Sequence, residues 1–302
     1  MIKTDANLFG RVATAMVTPF DADLKVDHAA VRKIVEHLLK NGTDTIVVCG
    51  TTGESPTLDE AEKQELLKTV IAANGGKAKI IMGTGSNDTA KSVRATKEAE
   101  SAGVDGALVV APYYNKPSQD GMLAHFGAIA DATSLPLVIY NIPGRTGVNI
   151  NSDTLIELAK RHDNVHAVKD STGNVEQAAE IAGQARDTFR VYSGDDYLTL
   201  PFLSVGACGI VSVASHLVGT QIQQIIAAYF DGNHDEARKL HYQYLPLFKG
   251  LFTAPNPTCV KYALSKIGLC QPTLRLPLVP LNAAQRDALD KVLSDLKVHA
   301  RV

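Results

Sequence analysis

A lysine, Lys169, closes the apolar run Val165-His166-Ala167-Val168, where period-2 alternation places it on the same face as Val165 and Ala167. Lysine is among the residues least often buried, and an unpaired charge in an apolar interior is costly. Desolvation lowers an amine's pKa from about 10.4 towards neutrality, and only the free amine attacks a carbonyl, so a Schiff-base nucleophile is one reading. The other is a lysine that snorkels to the strand end or pairs with Asp170, and position alone leaves both open. Tyr140 closes the preceding apolar run. Its phenol suits proton transfer to and from a carbinolamine oxygen, or it is an interior aromatic with a satisfied hydroxyl. Thr51 and Thr52 lie between Gly50 and Gly53. They offer hydroxyls and approachable amides for a carboxylate, although the glycines equally suit a tight loop. Arg145 follows Pro143-Gly144 on a stiff turn, which fits bidentate carboxylate binding or an ordinary solvated arginine.

Other chemistries find less support. G-T-G-S-N-D (83–88) is not a dinucleotide fingerprint, and G-T-T-G-E-S (50–55) lacks the lysine of a phosphate-binding loop. Of nine histidines only His166 falls within a predicted strand, on the face opposite Lys169, so no His-rich metal site is expected. Neither metal nor organic cofactor is predicted. Lys plus Arg number 30 and Asp plus Glu 32, a net charge of −2 that argues against nucleic-acid or anionic-membrane partners and for a small-molecule substrate. Cys49, Cys208, Cys259 and Cys270 include no C-x-x-C pair and read as reduced, mostly buried thiols. Without a leader-like N-terminus or an apolar stretch of 18 residues, the chain is expected to be cytoplasmic.

The elements that must position these residues alternate. β-branched runs occur at 12–18, 44–50, 78–84, 104–111, 135–141, 165–170, 189–194 and 208–213. Between the first two, Val31, Ile34, Val35, Leu38 and Leu39 keep helical period, with Asp27 as N-cap and Gly42 just past the end. Thr57 and Glu60 have capping-box spacing ahead of the next helix. Helical stretches follow at 88–102, 119–133, 151–162, 174–186, 196–205 and 216–230. Eight strand-then-helix units imply a closed (β/α)8 TIM barrel or a large doubly wound sheet. The barrel is assigned to 1–231. Residues 232–302, with helical patches near 233–250, 255–268 and 282–298, form a C-terminal helical extension expected to pack on it. The polar, aromatic and glycine-rich clusters at 50–55, 112–117, 140–147, 169–173 and 193–196 all follow a strand's C-terminal end, where barrel enzymes carry their sites.

Five segments in register with those strand ends, G-T-T-G-E-S-P-T-L (50–58), P-Y-Y-N-K-P (112–117), Y-N-I-P-G-R-T-G (140–147), V-K-D-S-T-G (168–173) and S-G-D-D (193–196), resemble the dihydrodipicolinate synthase and N-acetylneuraminate lyase family of pyruvate-dependent class I aldolases. The resemblance spans nearly the whole chain. It implies that Lys169 forms an imine with pyruvate whose enamine attacks L-aspartate 4-semialdehyde, giving 4-hydroxy-tetrahydrodipicolinate in the diaminopimelate route to lysine. Tyr140 would transfer protons through a relay with Thr52 and Tyr114, the latter reaching in from a neighbouring subunit of a homotetramer or homodimer. Thr51 and Thr52 would hold the pyruvate carboxylate and Arg145 that of the semialdehyde, with Gly194 and Val211 lining the site through backbone groups. N-acetylneuraminate lyases share the lysine and tyrosine but usually lack an arginine at the position of Arg145. A non-catalytic keto-acid sensor is the alternative from another class. In one departure, Lys63 and Lys91 stand where feedback-inhibited members carry a histidine and an acidic residue, while Tyr113 and Asn87 are kept. Two cations there would repel a lysine ammonium, so weak or absent inhibition by lysine is expected.

Overall fold

The computed structural model describes residues 8–298 and contains eight parallel strands in a closed barrel, in the order β1 to β8. The strands are β1 Val12–Ala15, β2 Thr45–Val48, β3 Lys79–Gly83, β4 Gly106–Val110, β5 Leu137–Asn141, β6 Val165–Asp170, β7 Arg190–Ser193 and β8 Gly209–Ser212. The helices are α1 His28–Lys40, α2 Glu60–Asn74, α3 Thr89–Ser101, α4 Gln119–Ala130, α5 Pro143–Thr146, α6 Ser152–Arg161, α7 Val175–Gln184, α8 Thr199–Ser204, α9 Ser215–Phe230, α10 His234–Gly250, α11 Thr258–Lys266 and α12 Ala283–Asp295. This is the (β/α)8 barrel with C-terminal helices; the doubly wound sheet is set aside by the closed strand order. The N-terminal stretch on which the expectation of no leader rests, and the outer ends of the expected barrel and extension, fall at residues 1–7 and 299–302, outside the described residues. No described helix is long and apolar enough to cross a membrane.

The chain forms two compact units. One comprises Lys79–Val211 with the chain up to Arg11; the other comprises Val12–Ala78 with the chain from Ser212 onward. In the first, β4 and β5 are buried almost throughout, which is why they read as near-continuous apolar runs instead of alternating ones. The β5–β6 register slips: Leu137 pairs with Val165 and Val138 with Ala167, so His166 is an extra residue in β6. Simple alternation therefore ties Lys169 to Ala167 but not, across this bulge, to Val165.

In the second unit β1 pairs with β2, and α9 packs on α10, with α10 and α11 both against α12. Asp27 caps α1 as expected, accepting from the amides of Ala29 and Ala30, and Gly42 (φ 79°) follows the helix end. The capping box expected at Thr57 and Glu60 is corrected to Asp59 and Glu62. Pro56 starts a 3-10 turn over Ser55–Thr57, and the Thr57 hydroxyl donates to Glu54 O at 3.0 Å. The same spacing two residues later then begins the helix.

His216, fully buried in this unit, accepts from Val17 N at 3.2 Å through Nε2. Its Nδ1 must therefore carry the hydrogen that meets Val213 O at 2.8 Å. The ring is neutral, and burial pushes its pKa down from 6.5 to about 4. Because the unfolded chain binds the proton first, the stabilisation is fully present above pH 6.5 and is lost as pH falls towards 4. Unfolding of wild type and His216→Gln at pH 7.5 and 4.5 should show the cost of the substitution shrinking by roughly 2–3 kcal/mol at the lower pH.

Candidate active site

Register sets the chemistry of the first unit. Tyr140 on β5 is the pairing partner of Lys169 on β6, and Asn141 of Asp170. Lys169 Nζ lies 4.1 Å from the centroid of the Tyr140 ring, with the two residues 6% and 5% exposed. The lysine is thus held against an aromatic ring at a strand end. Asp170 looks elsewhere: its Oδ1 accepts from Thr172 N at 2.8 Å and Thr172 Oγ1 at 2.6 Å. Its Oδ2 is buried without a hydrogen-bond partner among the described residues, and burial raises its pKa, opposed by the Thr172 bonds.

After β7, Asp195 is raised from 3.8 to about 6 by burial, which the charge of Lys169 opposes and those of Asp196 and Asp170 reinforce. A carboxyl pushed up towards neutrality within the field of the Lys169 amine is suited to acid–base work. The S-G-D-D segment was visible in the sequence, but its burial was not. A Cβ at Gly194 would stand 1.9 Å from Ser171 Oγ, which would have to swing away, and 3.0 Å from the Asp170 carbonyl oxygen, a tight approach to backbone. The Gly194 amide donates to Asp170 O at 2.7 Å, and Val211 is buried in β8.

Two expected site residues of this unit stand outward. Arg145 is exposed on α5, whose backbone is firmly tied: Arg145 N donates to Ile142 O at 3.0 Å, and Thr146 Oγ1 to Ile142 O and Val148 O at 3.0 and 2.9 Å. Beneath it the buried Asn141 amide donates to Ile150 O at 3.0 Å and accepts from Ile150 N at 3.1 Å, closing the loop at its base. Tyr114 is 89% exposed and left-handed at φ 73°, on a segment fixed by Asn115 Nδ2 donating to Asn87 O at 2.8 Å. It does not fold back into its own chain.

In the second unit Thr51 and Thr52 sit in a tight turn in which the amides of Gly53 and Ser55 reach Gly50 O and that of Glu54 reaches Thr51 O. Thr52 is buried, and its Oγ1 accepts from Asn256 Nδ2 at 2.9 Å. Glu54 is buried against Lys261 and Arg275. Sequence reasoning missed Asn256, Glu54, Lys261 and Arg275. The available signal was a lone lysine in the otherwise apolar and small stretch Thr258-Cys259-Val260-Lys261-Tyr262-Ala263-Leu264.

A model of the dihydrodipicolinate synthetase family matches residues 8–296. A curated 4-hydroxy-tetrahydrodipicolinate synthase of Halalkalibacterium halodurans is 51% identical over 290 residues, 96% of this chain and 99% of that protein. The crystal structure of a dihydrodipicolinate synthase from Bacillus anthracis matches with a TM-score of 0.92 at 49% identity, over 95% of this chain and 98% of that one. That of the enzyme from Cyanidioschyzon merolae, with lysine bound, matches with a TM-score of 0.95 at 45% identity, over 97% and 100% of the two chains.

Proposed function

The chain belongs to the dihydrodipicolinate synthetase family, and from that premise we propose that it condenses pyruvate with L-aspartate 4-semialdehyde through an imine on Lys169, giving 4-hydroxy-tetrahydrodipicolinate for the diaminopimelate route to lysine. The observation that carries the reading is the Lys169 amine buried 4.1 Å from the Tyr140 ring on paired strand ends.

The amine adds to the keto carbon of pyruvate and water leaves as the imine forms. Loss of a methyl proton gives the enamine, whose carbon attacks the aldehyde while the aldehyde oxygen takes a proton. The substrate amine then adds to the imine carbon and releases Lys169 as the ring closes. The imine is the electron sink, so the residues present supply the chemistry themselves. Tyr140 carries protons, in relay with Thr52 and with Tyr114 of a neighbouring copy in a homo-oligomer, homotetramer or homodimer; the outward, left-handed Tyr114 supports that role. Thr51 and Thr52 hold the pyruvate carboxylate, Arg145 that of the semialdehyde, and Gly194 and Val211 contribute backbone groups. In this reading residues 1–231 are the catalytic barrel, 232–302 are its extension, and the enzyme works in the cytoplasm.

Borohydride reduction in the presence of pyruvate, followed by peptide mass analysis, is expected to trap an adduct on Lys169. Failure to trap would favour the keto-acid sensor. Consumption of the semialdehyde, with no cleavage of N-acetylneuraminate, separates this activity from the sister lyase. Inhibition by lysine should be weak or absent, because Lys63 and Lys91 stand where feedback-inhibited members carry a histidine and an acidic residue, although the exposed pair of Lys63 with Glu60 at 2.9 Å offsets part of that repulsion. A micromolar inhibition constant in a steady-state assay is the contrary result.

A further inference from the structure

Two side-chain tethers reach the Thr51–Thr52 turn from the C-terminal part of the chain, one from the loop before α11 and one from α11, across 204 and 207 residues of sequence. In the first, Asn256 Nδ2 donates to Thr52 Oγ1 at 2.9 Å, with both groups buried. The remaining Asn256 oxygen is buried with no partner among the described residues, so this bond is what orients the amide. In the second, Lys261 Nζ, at 0% exposure, donates to Glu54 Oε1 at 2.6 Å, while Glu54 Oε2 accepts from Arg275 N at 3.1 Å. Arg275 is anchored in turn, through Nη1, to Glu62 Oε2 at 2.7 Å and Thr57 O at 2.6 Å. Lys261 and Arg275 both lie on Phe20, 4.2 and 4.4 Å from its ring centroid.

Glu54 is left-handed at φ 52°, a conformation disfavoured for any residue with a Cβ and persisting where the surroundings impose it. A buried ion pair adds little net stability over an apolar pair of the same volume. What this one supplies is geometry, since it fixes the residue two positions after Thr52. The Asn256 bond adds a chemical direction. With Thr52 Oγ1 already accepting, the threonine's own hydrogen is left to donate, which is what a carboxylate requires.

We propose that the segment from Asn256 to Arg275 is a clamp that positions the Thr51–Thr52 turn, Asn256 setting the Thr52 hydroxyl as a donor and Lys261 holding Glu54. The catalytic consequence rests on the proposed function; the mechanical one does not. Asn256, Glu54 and Lys261 are positioning residues.

Hydrogen exchange tests the mechanical part. In Asn256→Ala, and in the neutral double variant Glu54→Gln/Lys261→Met, the amides of Gly53, Glu54 and Ser55 should exchange about tenfold faster or more, while those of β6 keep their protection. Should the double variant not fold, Asn256→Ala leaves the ion pair intact and decides the matter. Kinetics test the rest. Asn256→Ala should lower kcat/KM about tenfold or more in the natural background, by less than about twofold beside Thr52→Val, and again fully beside Thr52→Ser. Unchanged exchange at the turn, or equal kinetic losses beside Thr52→Val and in the natural background, would overturn the clamp. If the unaltered chain traps no pyruvate, the proposed function fails instead, and exchange alone decides the clamp.

Discussion

Lys169→Ala should lose pyruvate trapping and turnover together, with kcat/KM for condensation down by about 10,000-fold or more. The size follows from the kind of contribution removed. In the proposed mechanism Tyr140 moves protons while the threonine turn and Arg145 bind carboxylates, so the loss of any one leaves the others working. In that mechanism the Lys169 amine is the atom through which pyruvate is activated, and among the described residues no second lysine has a comparable place, since the other buried one, Lys261, is engaged by Glu54 at 2.6 Å. Folding should survive, because the substitution removes a buried amine from an aromatic neighbour and breaks no ion pair. Borohydride trapping, steady-state rates and a thermal melt measured on one preparation check all three statements. Residual turnover within tenfold of wild type would remove Lys169 from the mechanism.

Arg145→Ala separates the two substrates. Pyruvate trapping on Lys169 should persist near the wild-type rate, while kcat/KM for the semialdehyde falls by about 100-fold, the value of a charge-assisted bond to a carboxylate. The reason lies in the backbone. The turn bearing Arg145 is closed by Thr146 and Asn141 bonds that the substitution does not touch, so the loss is of the guanidinium alone. Arg145→Lys should recover little, because an ammonium cannot form the two parallel bonds of a guanidinium. Trapping and condensation rates on wild type and both variants measure this. Equal losses in both half-reactions would place Arg145 in general structure rather than in recognition of the second carboxylate.

The barrel was legible because its parallel strands are buried on both faces and its helices on one, so apolar runs and helical periods alternate openly along the chain. Lys169 and Tyr140 were legible for the same reason: a charged and a phenolic residue closing apolar runs stand out locally, and sequential winding makes the two strands neighbours. Boundaries decided by competing short-range bonds were less so. Thr57–Glu60 and Asp59–Glu62 carry equal capping spacing, and Pro56 selects between them. The bulge at His166 was hidden because a register shift depends on the partner strand.

Local pattern was therefore enough for the fold class, the strand ends and the place of Lys169 and Tyr140 at two of them, all properties of contiguous residues. Tertiary structure alone decided that burial pushes Asp195 up to about 6 and that Thr52 receives its hydrogen bond from Asn256, 204 residues away. It likewise decided that Glu54 and Lys261 share a buried ion pair. Desolvation and side-chain pairing depend on what lies within a few ångströms in space, and sequence spacing carries no record of that distance.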